Sequence, residues 1–290
     1  MKIIPSVCTN LWFPASRKDI GAFRDTADFL KDKGVRMIEF YHDGPDRDQC
    51  GKILNDRGFE GMYVGVIPHK EKLQHLCNPD EAARVKAVEL GMACIDEAAG
   101  QGIKNVMYNS GRTDGGTVEA GMEAFHKSFT EMFNHVAKKG YDIEIGMEPC
   151  DSWMDSCQMI GSTELALVAS ERLRKEGMPF WLVMDSAHNA EQGENFIDSV
   201  TKVKPYCKHI HYANCLINDP KNPLYGDKHL GFEFADSVWT FGTLKTLTTQ
   251  LDALYEGQEV RVALEVLCRE EDPYAYFTSA WNQLPFWHQQ

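Results

Sequence analysis

Residues 180–195 read FWLVMDSAHNAEQGEN, and the junction in the middle of this stretch decides how the chain is understood. Phe180 to Met184 form an unbroken apolar run, as expected of a strand buried on both faces in a parallel sheet covered by helices. Asp185 and, three residues on, His188 then appear with no apolar reason to be there. Such a strand either simply stops or delivers chemistry at its C-terminal end.

The same pattern repeats in both directions. Further strand candidates are KIIPSVC, VRMIEFY, GMYVGVI, KNVMYN, YDIEIGME, KHIHYAN and VRVALEVL. Helical periodicity fills the intervals at 18–33, 46–57, 79–100, 118–139, 163–176, 191–203 and 243–255, and a last helix covers about 274–284. Gly34, Gly58, Gly102, Gly140 and Gly177 each follow a helix and precede a strand, where a left-handed helix cap leads into a short loop. Eight βα units in 290 residues fit a closed (β/α)8 TIM barrel better than an open doubly wound sheet. The expected organisation is one domain, residues 1–290, with a long irregular loop at 214–237 after strand seven.

Composition narrows the function. A net charge of −13 argues against nucleic acid and anionic membrane as partners, since no basic face can be assembled on such a surface. Nine cysteines, none in a C-x-x-C pair, read as reduced thiols of a cytoplasmic protein. No apolar segment approaches the ~18 residues that a spanning helix needs.

In an α/β barrel the site lies at the C-terminal strand ends. Those ends carry Glu39, His69, Asn109 with Ser110 and Arg112, Glu148, Asp185 with His188, His211 and Glu265. The second half is the concentrated one, with a carboxylate or imidazole closing each of four consecutive strands. Three carboxylates cannot share a dry site as anions without a compensating charge, and a divalent cation supplies it. Glu148, Asp185, His211 and Glu265 are therefore the candidate metal ligands, and oxygen donors with one imidazole suit Mn²⁺ or Mg²⁺ better than a structural Zn²⁺. His188 is expected to orient the metal shell or bind a substrate oxygen. Glu39 reads as a solvated carboxylate or a cap, and His209 as a structural residue on the opposite face of its strand from His211. Trp12, Phe13 and Trp153 are candidates for stacking on substrate.

Glu, then Asp-x-x-His, then His, then Glu at the ends of strands five to eight resembles the xylose isomerase-like barrels. That superfamily includes sugar isomerases, ketose 3-epimerases, hydroxypyruvate isomerases and endonuclease IV-type repair enzymes. The stretch HIHYANCLINDPKNPLYGDKHLGF narrows the likeness, through Asn214, Cys215, Asp219, Pro223, Leu224, Tyr225, Gly226, Asp227 and His229, to the catalytic α subunit of 3-oxo-C-glycoside deglycosidases. Ala213 and Asn222 stand where that motif has Gly and His, and EPCDSWMDSCQMIG lacks the basic residues of the corresponding loop.

The resemblance implies metal-assisted removal of a proton next to a keto-sugar carbonyl, with cleavage to aglycone and sugar by a carbon–carbon lyase. Isomerisation or epimerisation uses the same first step. His188, His229, Glu148 and Glu265 are the candidate acids and bases. His69, Asn109, Arg112, Asn214 and Asp227 are candidate substrate contacts. The resemblance also implies a small β subunit, and an oligomer is expected. A repair endonuclease fits the acidic chain poorly, and a non-enzymatic binding protein would have no need for all four ligands.

Overall fold

Eight parallel strands close on themselves in chain order in the computed structural model, which describes residues 1–284. They are β1 (Lys2–Cys8), β2 (Met37–Phe40), β3 (Glu60–Val64), β4 (Asn105–Tyr108), β5 (Glu144–Met147), β6 (Trp181–Asp185), β7 (Cys207–Tyr212) and β8 (Glu259–Leu264). The ring is sealed by β1 against β8, in register from Lys2 opposite Glu259 to Val7 opposite Leu264. A (β/α)8 barrel is thus what the apolar runs and their spacing build.

The helices are α1 (Thr9–Trp12), α2 (Ile20–Asp32), α3 (Cys50–Arg57), α4 (Val66–Lys72), α5 (Glu81–Gly100), α6 (Val118–Lys139), α7 (Thr163–Lys175), α8 (Ser186–Glu191), α9 (Phe196–Val203), α10 (Phe241–Leu254) and α11 (Pro273–Asn282). Gly58 and Gly140 end α3 and α6 at φ 76° and 67°, left-handed conformations that a side chain would strain. Asp19, Asp80, Thr117, Ser162 and Asn195 cap α2, α5, α6, α7 and α9 by accepting from main-chain N–H groups. Among the described residues no helix is long and apolar enough to cross a membrane.

Three local expectations are corrected. GMYVGVI is not one strand: β3 ends at Val64 and α4 begins at Val66, because a short apolar run has no period that separates strand from buried helix. The helix expected over 191–203 begins only at Phe196, as α9; α8 precedes it, and the chain turns between them where Gly193 adopts φ 79° and Asn195 caps α9. The short helix α1, directly after β1, has no helical period in the sequence to announce it.

The barrel has two cores. Alternate residues face outward and pack under the helices in the main cluster, including Val7, Ile38, Tyr63, Val106, Leu182 and Ile210. The inward set at mid-height is Ile4, Met37, Met62, Val64, Met107, Trp181 and Val183. The Trp181 indole reaches across to β5, where a Cβ on Gly146 would lie 2.5 Å from its ring. Above this apolar layer, towards the strand C-termini, the inward positions turn polar: Ser6, Glu39, Glu148, Asp185, His211 and Glu265, all nine-tenths or more buried.

Candidate metal centre

β6 ends where Asp185 has two uses. Its Oδ1 accepts from the N–H groups of Ala187 and His188, both at 2.8 Å, and so caps α8. The same cap turns Oδ2 the other way, into the barrel mouth, where it is buried with no hydrogen-bond partner. Glu148 Oε1 and His211 Nδ1 are buried and unpartnered in the same sense. With Glu265 these residues offer four ligand atoms that all lie within 4.8 Å of one another. His211 Nδ1 is 2.8 Å from Glu148 Oε1, 2.6 Å from Glu265 Oε2 and 4.0 Å from Asp185 Oδ2.

Three convergent carboxylates, two of them with an orphaned buried oxygen, are costly unless a cation satisfies them. Without one, protons must do so. Burial, with the nearby Glu265 and Glu148 anions, pushes the Asp185 carboxyl up to about 7, although His188 and His211 pull it down. Burial opposes a charged His211, but Glu39, Glu265 and Glu148 lift it well above the ordinary imidazole range. Burial likewise opposes the Glu265 anion, and His211 with His229 hold it well below the usual carboxylate range. The donor set, three oxygens and one nitrogen, fits a hard or borderline divalent cation.

Glu39 is neither solvated nor a cap, contrary to expectation. It is fully buried at the end of β2: Ser6 Oγ donates to its Oε1 at 2.7 Å, His209 Nε2 lies 2.9 Å from the same oxygen, and His211 Nε2 lies 3.0 Å from Oε2. His209 is corrected with it. Residues two apart on a strand share a face, so His209 points inward with His211. Cys207 faces outward because β7 bulges at Lys208: Leu182 is opposite Cys207, whereas Val183 is opposite His209.

A second polar group adjoins the first. His188 Nδ1 is 3.1 Å from Glu191 Oε2 and 3.9 Å from Asp151 Oδ1, and its Nε2 is 3.8 Å from Asp227 Oδ2. Asp227 Oδ1 is in turn 3.1 Å from His229 Nδ1, and His229 Nε2 is 3.3 Å from Glu265 Oε1. His229 therefore joins the loop after β7 directly to the cluster, with its backbone at φ 48°. Burial opposes the His229 cation, but Asp227 and Glu265 raise it to about 9. Asp151 and Glu191 on one side of His188, and Cys150 between His188 and Glu148, carry no obvious sign of this in the sequence. The one hint is that Glu191 lies one helical turn after His188. Asp151 accepts from the N–H groups of Met154, Asp155 and Ser156 at 2.7–2.9 Å, which folds the loop after β5.

Several expected contacts lie elsewhere. His69 is buried with Nδ1 2.9 Å from the Gly65 carbonyl and Nε2 3.0 Å from that of Ala87, so both ring nitrogens are committed to main chain between α4 and α5. Asn214 is also spent: its Nδ2 donates to Gly231 O, Ser237 Oγ and Trp239 O, and its Oδ1 accepts from Trp239 N. It braces the loop after β7 and is fully buried, with no surface presented to a substrate. Arg112 is exposed and donates from Nη2 to the Ser156 carbonyl at 3.1 Å, while Asn109 is half-buried after β4. Trp12 and Phe13 are core residues, packed on Tyr276, Phe277, Phe29 and Tyr274; Trp153 is 59% exposed.

Residues 27–250 match the family described as Xylose isomerase-like TIM barrel, so this chain belongs to that family. Among solved structures, the fold is similar to that of an L-ribulose 3-epimerase (TM-score 0.72, 15% identity, 98% of this chain and 95% of that one). It is similar also to the 3-keto-D-glucoside 4-epimerase of E. coli in its apo form (0.68, 14%, 100% and 100%). A third is the IOLI protein with a bound zinc atom (0.67, 14%, 99% and 96%). No curated protein sequence matches the chain.

Proposed function

We propose that this protein is a divalent-metal-dependent enzyme that removes a proton next to the carbonyl of a keto-sugar, and that its reaction is cleavage of a 3-oxo-C-glycoside to aglycone and sugar. The observation that carries the metal reading is the set of orphaned, mutually facing atoms Glu148 Oε1, Asp185 Oδ2 and His211 Nδ1. Glu148, Asp185, His211 and Glu265 would hold the ion, Mn²⁺ or Mg²⁺ by donor type. When bound, it supplies Lewis acidity that polarises a substrate carbonyl and acidifies the neighbouring C–H.

The side chains do the rest. A carboxylate, Glu148 or Glu265, is the base that takes the proton from the carbon next to the carbonyl. In the lyase reaction the electron pair of that C–H bond forms a C=C bond to the sugar carbon bearing the aglycone. The bond from that carbon to the aglycone breaks, and the aglycone carbon leaves with its electron pair. His229, which lies between Asp227 and Glu265, would protonate the departing carbon. His188, braced by Glu191, presents Nε2 on the Asp227 side and would bind a sugar oxygen. Support for the lyase comes from the loop after β7, which carries Asp227 and His229 to the cluster. A small β subunit would complete such an enzyme.

Epimerisation or isomerisation is the second reading, favoured by the fold shared with two epimerases, one of which acts on a 3-keto-D-glucoside. Here the proton returns to the opposite face or to the neighbouring carbon, and no bond to an aglycone breaks.

The test is an assay for release of a flavonoid aglycone from a 3-oxo-C-glucoside, with and without Mn²⁺, with Glu265→Gln as control and with the candidate β subunit supplied. Metal-dependent release abolished in the variant supports the lyase. A metal-bound protein that exchanges substrate C–H with solvent deuterium but releases no aglycone supports epimerisation. A protein that takes up no divalent ion overturns both.

A further inference from the structure

Glu39 sits on the inside wall of the barrel, beneath the candidate metal ligands and with no exposed surface. A lone carboxylate in that position is expensive unless its oxygens are met by donors. Ser6 Oγ and His209 Nε2 approach Oε1 at 2.7 and 2.9 Å, and His211 Nε2 approaches Oε2 at 3.0 Å. His211 thus has Glu39 at one ring nitrogen and Glu148, Glu265 and Asp185 around the other.

We propose that Glu39 is a positioning residue for His211, fixing the imidazole with a proton on Nε2 so that Nδ1 presents its lone pair to the cluster. The inference rests on the metal reading above. Its logic is tautomeric. A bare lone pair on Nε2 would face the Glu39 anion at 3.0 Å, so Nε2 carries hydrogen and Nδ1 is the atom free to ligate. A carboxylate behind a ligating imidazole also sets the ring plane and raises ligand basicity. Ser6 donates to the other carboxylate oxygen, and the His209 ring lies against the same oxygen. This explains why three polar residues of β1, β2 and β7 are buried together where the barrel would otherwise continue its apolar layer.

Glutamine cannot replace this function. Its amide offers one acceptor oxygen, so either His209 or His211 would meet an N–H₂ group in place of an acceptor. The experiment measures Mn²⁺ affinity of the intact protein by calorimetry and by paramagnetic resonance for wild type, Glu39→Gln and Asp185→Asn. Circular dichroism and melting temperature of the metal-free proteins report folding. In parallel, ¹⁵N-histidine spectra are recorded on the Zn²⁺-loaded wild type.

We expect Glu39→Gln to bind Mn²⁺ about 10–100-fold more weakly while remaining folded, and His211 to show metal on Nδ1 and hydrogen on Nε2. Should Glu39→Gln not fold, His209→Asn keeps the carboxylate and removes the ring beside it, and a smaller loss of affinity, about 3–10-fold, is expected. A folded Glu39→Gln or His209→Asn protein with wild-type affinity, where Asp185→Asn has lost it, overturns the positioning role and leaves the metal reading standing. So does a His211 that carries its hydrogen on Nδ1. A wild type that takes up neither ion overturns the metal reading and this inference together.

Discussion

His188 leans on Glu191 across a single turn of α8: Nδ1 and Oε2 are 3.1 Å apart and both side chains are buried. The carboxylate pins the imidazole so that Nε2 faces Asp227 and the mouth of the barrel. If His188 binds a sugar oxygen, Glu191→Gln should lower kcat/KM about 10–100-fold with Mn²⁺ affinity unchanged, the usual effect of removing a supporting carboxylate. Steady-state kinetics beside a metal titration of the variant decides this, and equal losses in both would count against it.

Glu191 also makes a prediction about stability and pH. Burial, against the pull of His188, raises its carboxyl to about 7 from an ordinary 4.5. A group whose folded pKa is raised binds its proton more tightly when folded. Its contribution is complete below pH 4.5 and is lost as pH rises through 7. The melting temperature of the metal-free protein should therefore fall less steeply between those pH values in Glu191→Gln than in wild type. Identical slopes would show that the carboxyl titrates normally.

Metal uptake should be linked to protons through Asp185. In the metal-free protein its carboxyl is raised to about 7 and His211 is held protonated, so a proton must leave Oδ2 below that pH, and one must leave His211 Nδ1, before these atoms can ligate. Apparent Mn²⁺ affinity should rise with pH through 7, with net proton release on binding. Calorimetry in buffers of different ionisation enthalpy measures that release, and a pH-independent affinity would exclude the linkage.

The loop after β7 hangs on Asn214. Three N–H contacts and one accepted N–H join this buried side chain to Gly231, Ser237 and Trp239. Asn214→Ala should destabilise the loop by about 1–3 kcal/mol, the cost of leaving buried main-chain groups unpaired. Limited proteolysis should then cut within 214–240 well before the barrel itself is cleaved. Equal resistance in wild type and variant would show that the loop is held by other contacts.

Gly146 tests the inner packing. A Cβ there would stand 2.5 Å from the Trp181 ring, which is fully buried. Gly146→Ala should lower stability by about 1–3 kcal/mol through overpacking, read by urea denaturation. An unchanged midpoint would mean that the indole can move.

Much of this was legible before folding. The alternation of apolar runs with amphipathic stretches determined the barrel, because a strand covered on both faces must be apolar throughout and a covering helix on one face only. The cluster was legible for the same reason: Glu148, Asp185, His211 and Glu265 break apolar runs at equivalent places in four successive units. What alternation cannot carry is contact between units distant in sequence. Glu39 looked like a carboxylate at the end of an ordinary strand, and only ring closure brought it to His211, 172 residues away. His209 shares the inward face with His211 by strand alternation, whereas the outward turn of Cys207 depended on a bulge at Lys208 that no local pattern announces. His69 and Asn214 look like site residues in sequence, yet main-chain partners claim them, and such partners are set by loop paths. The sequence by itself determined which side chains could do chemistry, because burying them anywhere has a cost. The tertiary structure alone decided which of them meet, since that depends on barrel closure and on where each loop returns.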